Sequence, residues 1–146
     1  MYTKKKSAAI RIIACLLVMV MVCPMGASAV VQSRASAYLD SYNAYVYLPG
    51  NGEVQVYFNA RGTNTMDELG ALSVAIYEST DGTNWTWKKT FTHDSTSGML
   101  SYNDDFHASH VTYNGVAGRY YKAYVCIWGG KDGQGDTRYF WTSAKH

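Results

Sequence analysis

The chain has 146 residues and three cysteines, with 13 Lys and Arg against 11 Asp and Glu for a net charge of +2. Four of the basic residues and two of the cysteines fall within residues 1–29, so residues 30–146 carry nine bases, eleven acids and the single Cys126, a net of −2. This excludes a polybasic nucleic-acid-binding protein and a disulfide scaffold, and the length sets a ceiling of one domain.

Residues 1–29 have the pattern of an export signal. Lys4, Lys5, Lys6 and Arg11 precede an apolar run from Ile12 to Cys23, followed by Pro24 and the small triplet Ala27-Ser28-Ala29. A run of this length falls short of the roughly 20 residues that a spanning helix needs. The pattern predicts cleavage between Ala29 and Val30 and a secreted protein with no membrane attachment afterwards. The alternative is an anchor formed by the uncleaved segment. Cys23 follows the large Val22, and Cys15 has little apolar chain before it, so neither stands where a lipidated cysteine would. Residues 30–37 read as a flexible lead and 38–146 as a single domain.

That domain reads as strands. Aliphatic residues are sparse, but 12 of the 13 tyrosines and all four tryptophans lie in it, and aromatic residues suit pleated, half-buried surfaces. The first strand, from Tyr38 to Leu48, places Tyr42, Ala44, Val46 and Leu48 on one face. Leu48-Pro49-Gly50-Asn51-Gly52 is similar to a sortase sorting signal, but Asn51 stands in place of Thr and no apolar tail follows. Pro-Gly-Asn-Gly is a turn. Glu53 to Arg61 alternates with a period of two, with Val54, Val56, Phe58 and Ala60 inward. Thr65-Met66-Asp67-Glu68 has capping-box spacing and ends at Gly70, which predicts one helical turn between sheets. Leu72, Val74 and Ile76 mark a third strand, Ser79 to Asn84 a turn, and Trp85 to Thr92 a fourth strand. His93 to Asp105 reads as a polar loop, with Met99, Leu100 and Tyr102 as its candidates for the core.

Phe106 to Tyr113 is the fifth strand and Asn114-Gly115 a turn. Tyr120 to Trp128 is the sixth, with Tyr121, Ala123, Val125 and Ile127 inward because Lys122 must point out. Gly129 to Asp136 reads as a Gly-rich hairpin loop, and Thr137 to Ser143 as the seventh strand. Seven short strands at this spacing predict an all-β, immunoglobulin-like β-sandwich, with a small β-barrel as the alternative.

No motif for a catalytic centre or a cofactor is present. Cys126 followed by Arg138 is similar to the Cys and Arg of sortases, but Tyr124-Val125 precedes the cysteine where that family has a Thr-Leu-x-Thr run. His107 and His110 are three apart, so a regular strand sends them to opposite faces and they cannot chelate one metal. Gly129 to Asp136 lacks the ligand spacing of a calcium loop. Ser79 to Trp85 resembles the Asp-box hairpin of sialidase-type propellers with one residue missing, a structural element. The expectation is no enzyme, no metal and no cofactor. The aromatic excess is the informative feature. If residue 126 faces residue 139 in the last hairpin, Tyr124, Trp128, Tyr139 and Trp141 share a face with Cys126 and Lys122, opposite Val125, Ile127 and Phe140. Such a face can stack on sugar rings or anchor a protein partner, and these four residues are the candidate ligand site.

Thr65-Met66-Asp67-Glu68-Leu69-Gly70-Ala71, Ile76-Tyr77-Glu78, the Asp81-Gly82 turn with Trp85, Val111-Thr112-Tyr113-Asn114-Gly115, Ala117-Gly118, Tyr121 and Ala123 together resemble a group of small exported proteins of Gram-positive Firmicutes that carry a domain of unknown function. The resemblance runs from about Tyr38 to Thr142. It implies export and a β-rich fold, and transfers no catalytic residue or ligand. The functional expectation is a secreted, non-enzymatic binding or interaction module at the cell surface, with cell-wall glycan, host glycan or another protein as its partner. The alternatives are a secreted antagonistic, toxin-like protein and a sortase-like cysteine enzyme. Oligomeric state carries no signal in the sequence.

Overall fold

A computed structural model describes residues 36–146. The export segment, its Ala29–Val30 cleavage point and the lead up to residue 35 lie outside the described residues. Within them the chain is all-β: β1 (Leu39–Gly50), β2 (Glu53–Ser79), β3 (Thr86–Thr92), β4 (Leu100–Asn114), β5 (Tyr120–Lys131) and β6 (Gln134–Trp141). All pairings are antiparallel.

The 27-residue β2 organises the sheet. Its first half lies between β1 and the C-terminal part of β4, and its second half has β5 on one side and β3 with the start of β4 on the other. Strand β6 extends the sheet beyond β5. One curled sheet thus forms both layers, β1–β2–β4 and β3–β2–β5–β6, the strand grouping of an immunoglobulin-like sandwich. Strands β1, β3, β4 and β6 each pair with one other strand, and among the described residues the sheet does not close.

The core follows from alternation. Val54, Val56, Phe58 and Ala60 from the first half of β2 meet Val74 and Ile76 from its second half, Ala123, Val125 and Ile127 from β5, and Val46 from β1, all buried in one cluster. Tyr121 is the largest fully buried side chain. Its hydroxyl accepts the Val116 N–H at 2.7 Å and donates to Glu78 Oε2 at 2.6 Å. A tyrosine near the start of this strand that bonds back to upstream backbone is the tyrosine corner of immunoglobulin-like sandwiches. Burial, helped by the bond to Glu78, pushes the Tyr121 hydroxyl up to about 12. The same bond, with Lys88 at 3.3 Å, holds the Glu78 carboxyl below its usual range.

The structure corrects four boundaries. There are six strands rather than seven, because the second and third predicted strands are one. The predicted helical turn at 65–70 is strand: Met66 and Leu69 are buried, and Glu68 to Gly70 pair with both β4 and β5. Ladders on both sides outweigh a local capping signal. The chain bends instead at a bulge, where residues 62–65 pass opposite Asp105 alone. Gly70 is required by φ +145° and by the close approach of the Met99 carbonyl, not by a helix end.

The third correction is that β4 starts at Leu100, inside the predicted polar loop. Met99 is buried there, Leu100 half-buried and Tyr102 exposed. Lastly, the Gly-rich segment is strand up to a two-residue turn: Lys131 pairs with Gln134, and Asp132 and Gly133 both have positive φ. That is the type I′ Asp-Gly hairpin turn.

Candidate functional site

The hairpin of β5 and β6 sets the candidate site. Cys126 pairs with Tyr139 and Tyr124 with Trp141, so the expected register and face are those observed. Across β2 and β3 the outward-facing partners continue in three rows: Trp87–Tyr77–Lys122, Thr90–Ala75–Tyr124–Trp141, and Thr92–Ser73–Cys126–Tyr139. Side chains opposite one another in a ladder share a face, so these rows form one outer surface.

Its rings touch. Trp141 lies 4.9 Å from Tyr124 and 5.0 Å from Tyr77, at interplanar angles of 42° and 64°, and Tyr124 lies 6.0 Å from Tyr139. Tyr139 is 61% exposed, Trp87 57% and Trp141 48%, so the rings present faces and edges to solvent. The Lys122 ammonium sits 4.4 Å from the Trp85 ring and 4.4 Å from the Trp141 ring, between two indoles. Among the described residues Lys122 makes no ion pair with a carboxylate.

Three of the four expected site residues, Tyr124, Tyr139 and Trp141, therefore come together. Trp128 is on the same face but lies at the hairpin end, where its N–H donates to Glu68 Oε2 at 3.2 Å and its indole covers Gly130 and Gly135. A ring laid over a cross-strand glycine pair keeps the flat, side-chain-free end of the hairpin in register. Sequence reasoning missed Tyr77, Trp85 and Trp87. Placing Ile76 inward already sends Tyr77 outward, but the pairing of β3 and β5 with the same stretch of β2 is a tertiary fact.

Cys126 lies beneath this surface, buried. Burial pushes its thiol above the ordinary value, against the opposing effect of Tyr139 and Ser73 hydrogen bonds. Arg138 pairs with Ile127 rather than Cys126, and so belongs to the opposite face. Its guanidinium bonds the Thr137 carbonyl at 3.0 Å. His107 pairs with Ala60 and His110 with Tyr57, placing the two imidazoles on opposite faces. His107 reaches the Gly98 carbonyl at 2.9 Å, and His110 stacks on Tyr57 at 4.9 Å.

No family model matches the chain, and neither a curated protein nor a solved structure does.

Proposed function

We propose that this protein is an exported, non-catalytic binding module at the cell surface whose ligand site is the outer face of the β3–β2–β5–β6 layer. The ligand class that suits the face best is a glycan of the cell wall or of a host surface. One observation carries the reading: the exposed Trp141 and Tyr139 are joined through the half-buried Tyr124 and Tyr77 into one contiguous aromatic cluster, where isolated exposed aromatics would need no explanation. Sugar rings offer flat C–H faces to such platforms, and Tyr and Trp supply contact area at little cost in side-chain entropy.

Retention of the purified protein on insoluble cell-wall material and on immobilised glycans tests the proposal. Replacing Trp141 and Tyr139 together by Ala should abolish retention, while Tyr45→Ala, on the other outer face, should leave it intact. Undiminished retention of the Trp141/Tyr139 variant would overturn the assignment. Trp128→Ala is a poor probe because that indole covers the Gly130–Gly135 pair.

A further inference from the structure

We infer that the ligand is an acidic glycan, a polymer of pyranose rings bearing carboxylates, with Lys122 as the residue that selects the charge. The inference rests on the binding role proposed for this face and deepens it.

The three outward rows of this layer contain aromatic residues, Ser, Thr, Ala, Cys126 and one formal charge, the Lys122 ammonium, with no Asp or Glu among them. The domain as a whole has more acids than bases, so these three rows are set apart from their surroundings; the acid on the same face, Glu68, pairs with Gly130 at the hairpin end and accepts the Trp128 N–H. Of the lysines of β3, Lys88 pairs with Glu78 at 3.3 Å, and Lys89 stands opposite the inward Ile76 and so belongs to the other side of the strand. Lys122 is held between the Trp85 and Trp141 rings, which fixes its position and partly desolvates it while leaving its hydrogen-bond donors without a carboxylate. A cation in that setting is complementary to an anion presented beside an apolar ring face.

Geometry sets the kind of anion. Trp141 and Tyr124 stand opposite each other with centroids 4.9 Å apart, and Tyr139, two residues from Trp141 on β6, lies 6.0 Å from Tyr124, so the three rings form a compact cluster on the scale of a sugar ring. A pyranose ring of such a polymer can therefore rest on this cluster while a carboxylate beside Trp141 meets Lys122. A polyol phosphate chain supplies charge but no ring face, and a neutral glycan supplies rings but leaves the ammonium unpaired.

The experiment is affinity electrophoresis or calorimetry of the purified protein with three polymers: polygalacturonate, the same polymer with its carboxylates reduced to hydroxymethyl groups, and polyglycerol phosphate. Polygalacturonate should bind about tenfold more tightly than its reduced form, the effect of one charge-assisted contact. Lys122→Met should abolish the preference for polygalacturonate over the reduced polymer, and Lys122→Arg should keep most of it. Trp141→Ala should lose both. Equal binding of the two galacturonan forms, a preference unchanged in Lys122→Met, or tightest binding to polyglycerol phosphate would each overturn the acidic-glycan inference while leaving a binding face in place. No binding of any of the three polymers, alongside retention on wall material lost in the Trp141/Tyr139 variant, would overturn the ligand class alone. Unimpaired retention of that variant would overturn the face itself.

Discussion

The two outer faces of the curled sheet are both aromatic, yet they differ in how a charge is placed among the rings. On the β1–β2–β4 layer, Tyr45, Tyr57 and His110 stand directly opposite one another in register and stack at 5.2 and 4.9 Å with interplanar angles of 8° and 24°. Their faces are turned to each other. On the β3–β2–β5–β6 layer, Trp141 meets Tyr124 at 42° and Tyr77 at 64°, and two indoles flank an ammonium that makes no ion pair with a carboxylate among the described residues. Ring angle is not what separates the layers, since Tyr47 meets Tyr57 at 66° on the first and Tyr124 stacks on Tyr139 at 20° on the second, and both kinds of pair stabilise a sheet; the ammonium flanked by two indoles is peculiar to the second. Aromatic content alone therefore does not distinguish the two faces; the placement of Lys122 does.

Four experiments would break or sharpen that contrast. The largest effect should come from the core that both layers share: Phe58→Ala should cost about 3–5 kcal/mol in denaturant unfolding and disturb both faces together. If only one face responded, the layers would be separable units.

Next is the tyrosine corner. Tyr121→Phe leaves the Val116 N–H and the Glu78 carboxylate without their shared partner and should cost about 1–3 kcal/mol. Its pH dependence has a definite sign. The folded protein holds the Tyr121 proton up to about 12, above the ordinary value of 10.0. The associated stability is thus present below pH 10 and lost as pH rises from 10 to 12. Ultraviolet titration should show a late-ionising phase that shrinks in Tyr121→Phe, with Tyr139, pushed up by its bond with Cys126, as the other contributor. No late phase would remove the buried hydroxyl from the account.

The two faces are compared directly by a pair of variants. Tyr57→Ala should lower stability by about 1 kcal/mol through lost stacking and leave glycan retention unchanged. Trp141→Ala should lose retention, at a comparable cost in stability from its lost contacts with Tyr124, Tyr77 and Lys122. Equal retention of the two would erase the distinction.

The smallest effect belongs to the turn between β2 and β3 that feeds Trp85 into the Lys122 site. The Asp81 carboxylate accepts the Asn84 and Thr83 N–H groups at 2.8 Å each, with further bonds from the Asn84 amide and the Ser79 hydroxyl, and these hold it well below the carboxylate range. A depressed carboxyl stabilises the fold above its ordinary titration range, and that contribution is lost as pH falls through and below it. The unfolding midpoint should decline on acidification below about pH 4, and Asp81→Asn should flatten that decline. An identical acid limb in Asp81→Asn would remove this turn as its source.

Much of the fold was legible because alternation is a local property. Each of Val54, Val56, Phe58 and Ala60, and each of Tyr121, Ala123, Val125 and Ile127, is buried as its period predicts. The pairing of Cys126 with Tyr139 was legible for a related reason: choosing which side chains face inward on two consecutive strands leaves few registers open. The errors fall where local signals and tertiary pairing compete. Thr65 to Gly70 carries a helix signal, yet it lies between β4 and β5. The glycines at 129, 130 and 135 look like a loop until Trp128 covers two of them and Leu39 packs against the third.

The amino-acid sequence by itself determined the all-β class, the inward and outward faces of its strands and the aromatic character of the last hairpin, because side-chain alternation and turn chemistry act over a few residues. Only the tertiary structure decided that β2 serves both layers, that Trp128 is committed to the hairpin while Tyr77 and Trp85 join the platform, and that Lys122 lies between two indoles. Those arrangements depend on which strands lie side by side, and that is decided by burying one common core from residues far apart in the chain.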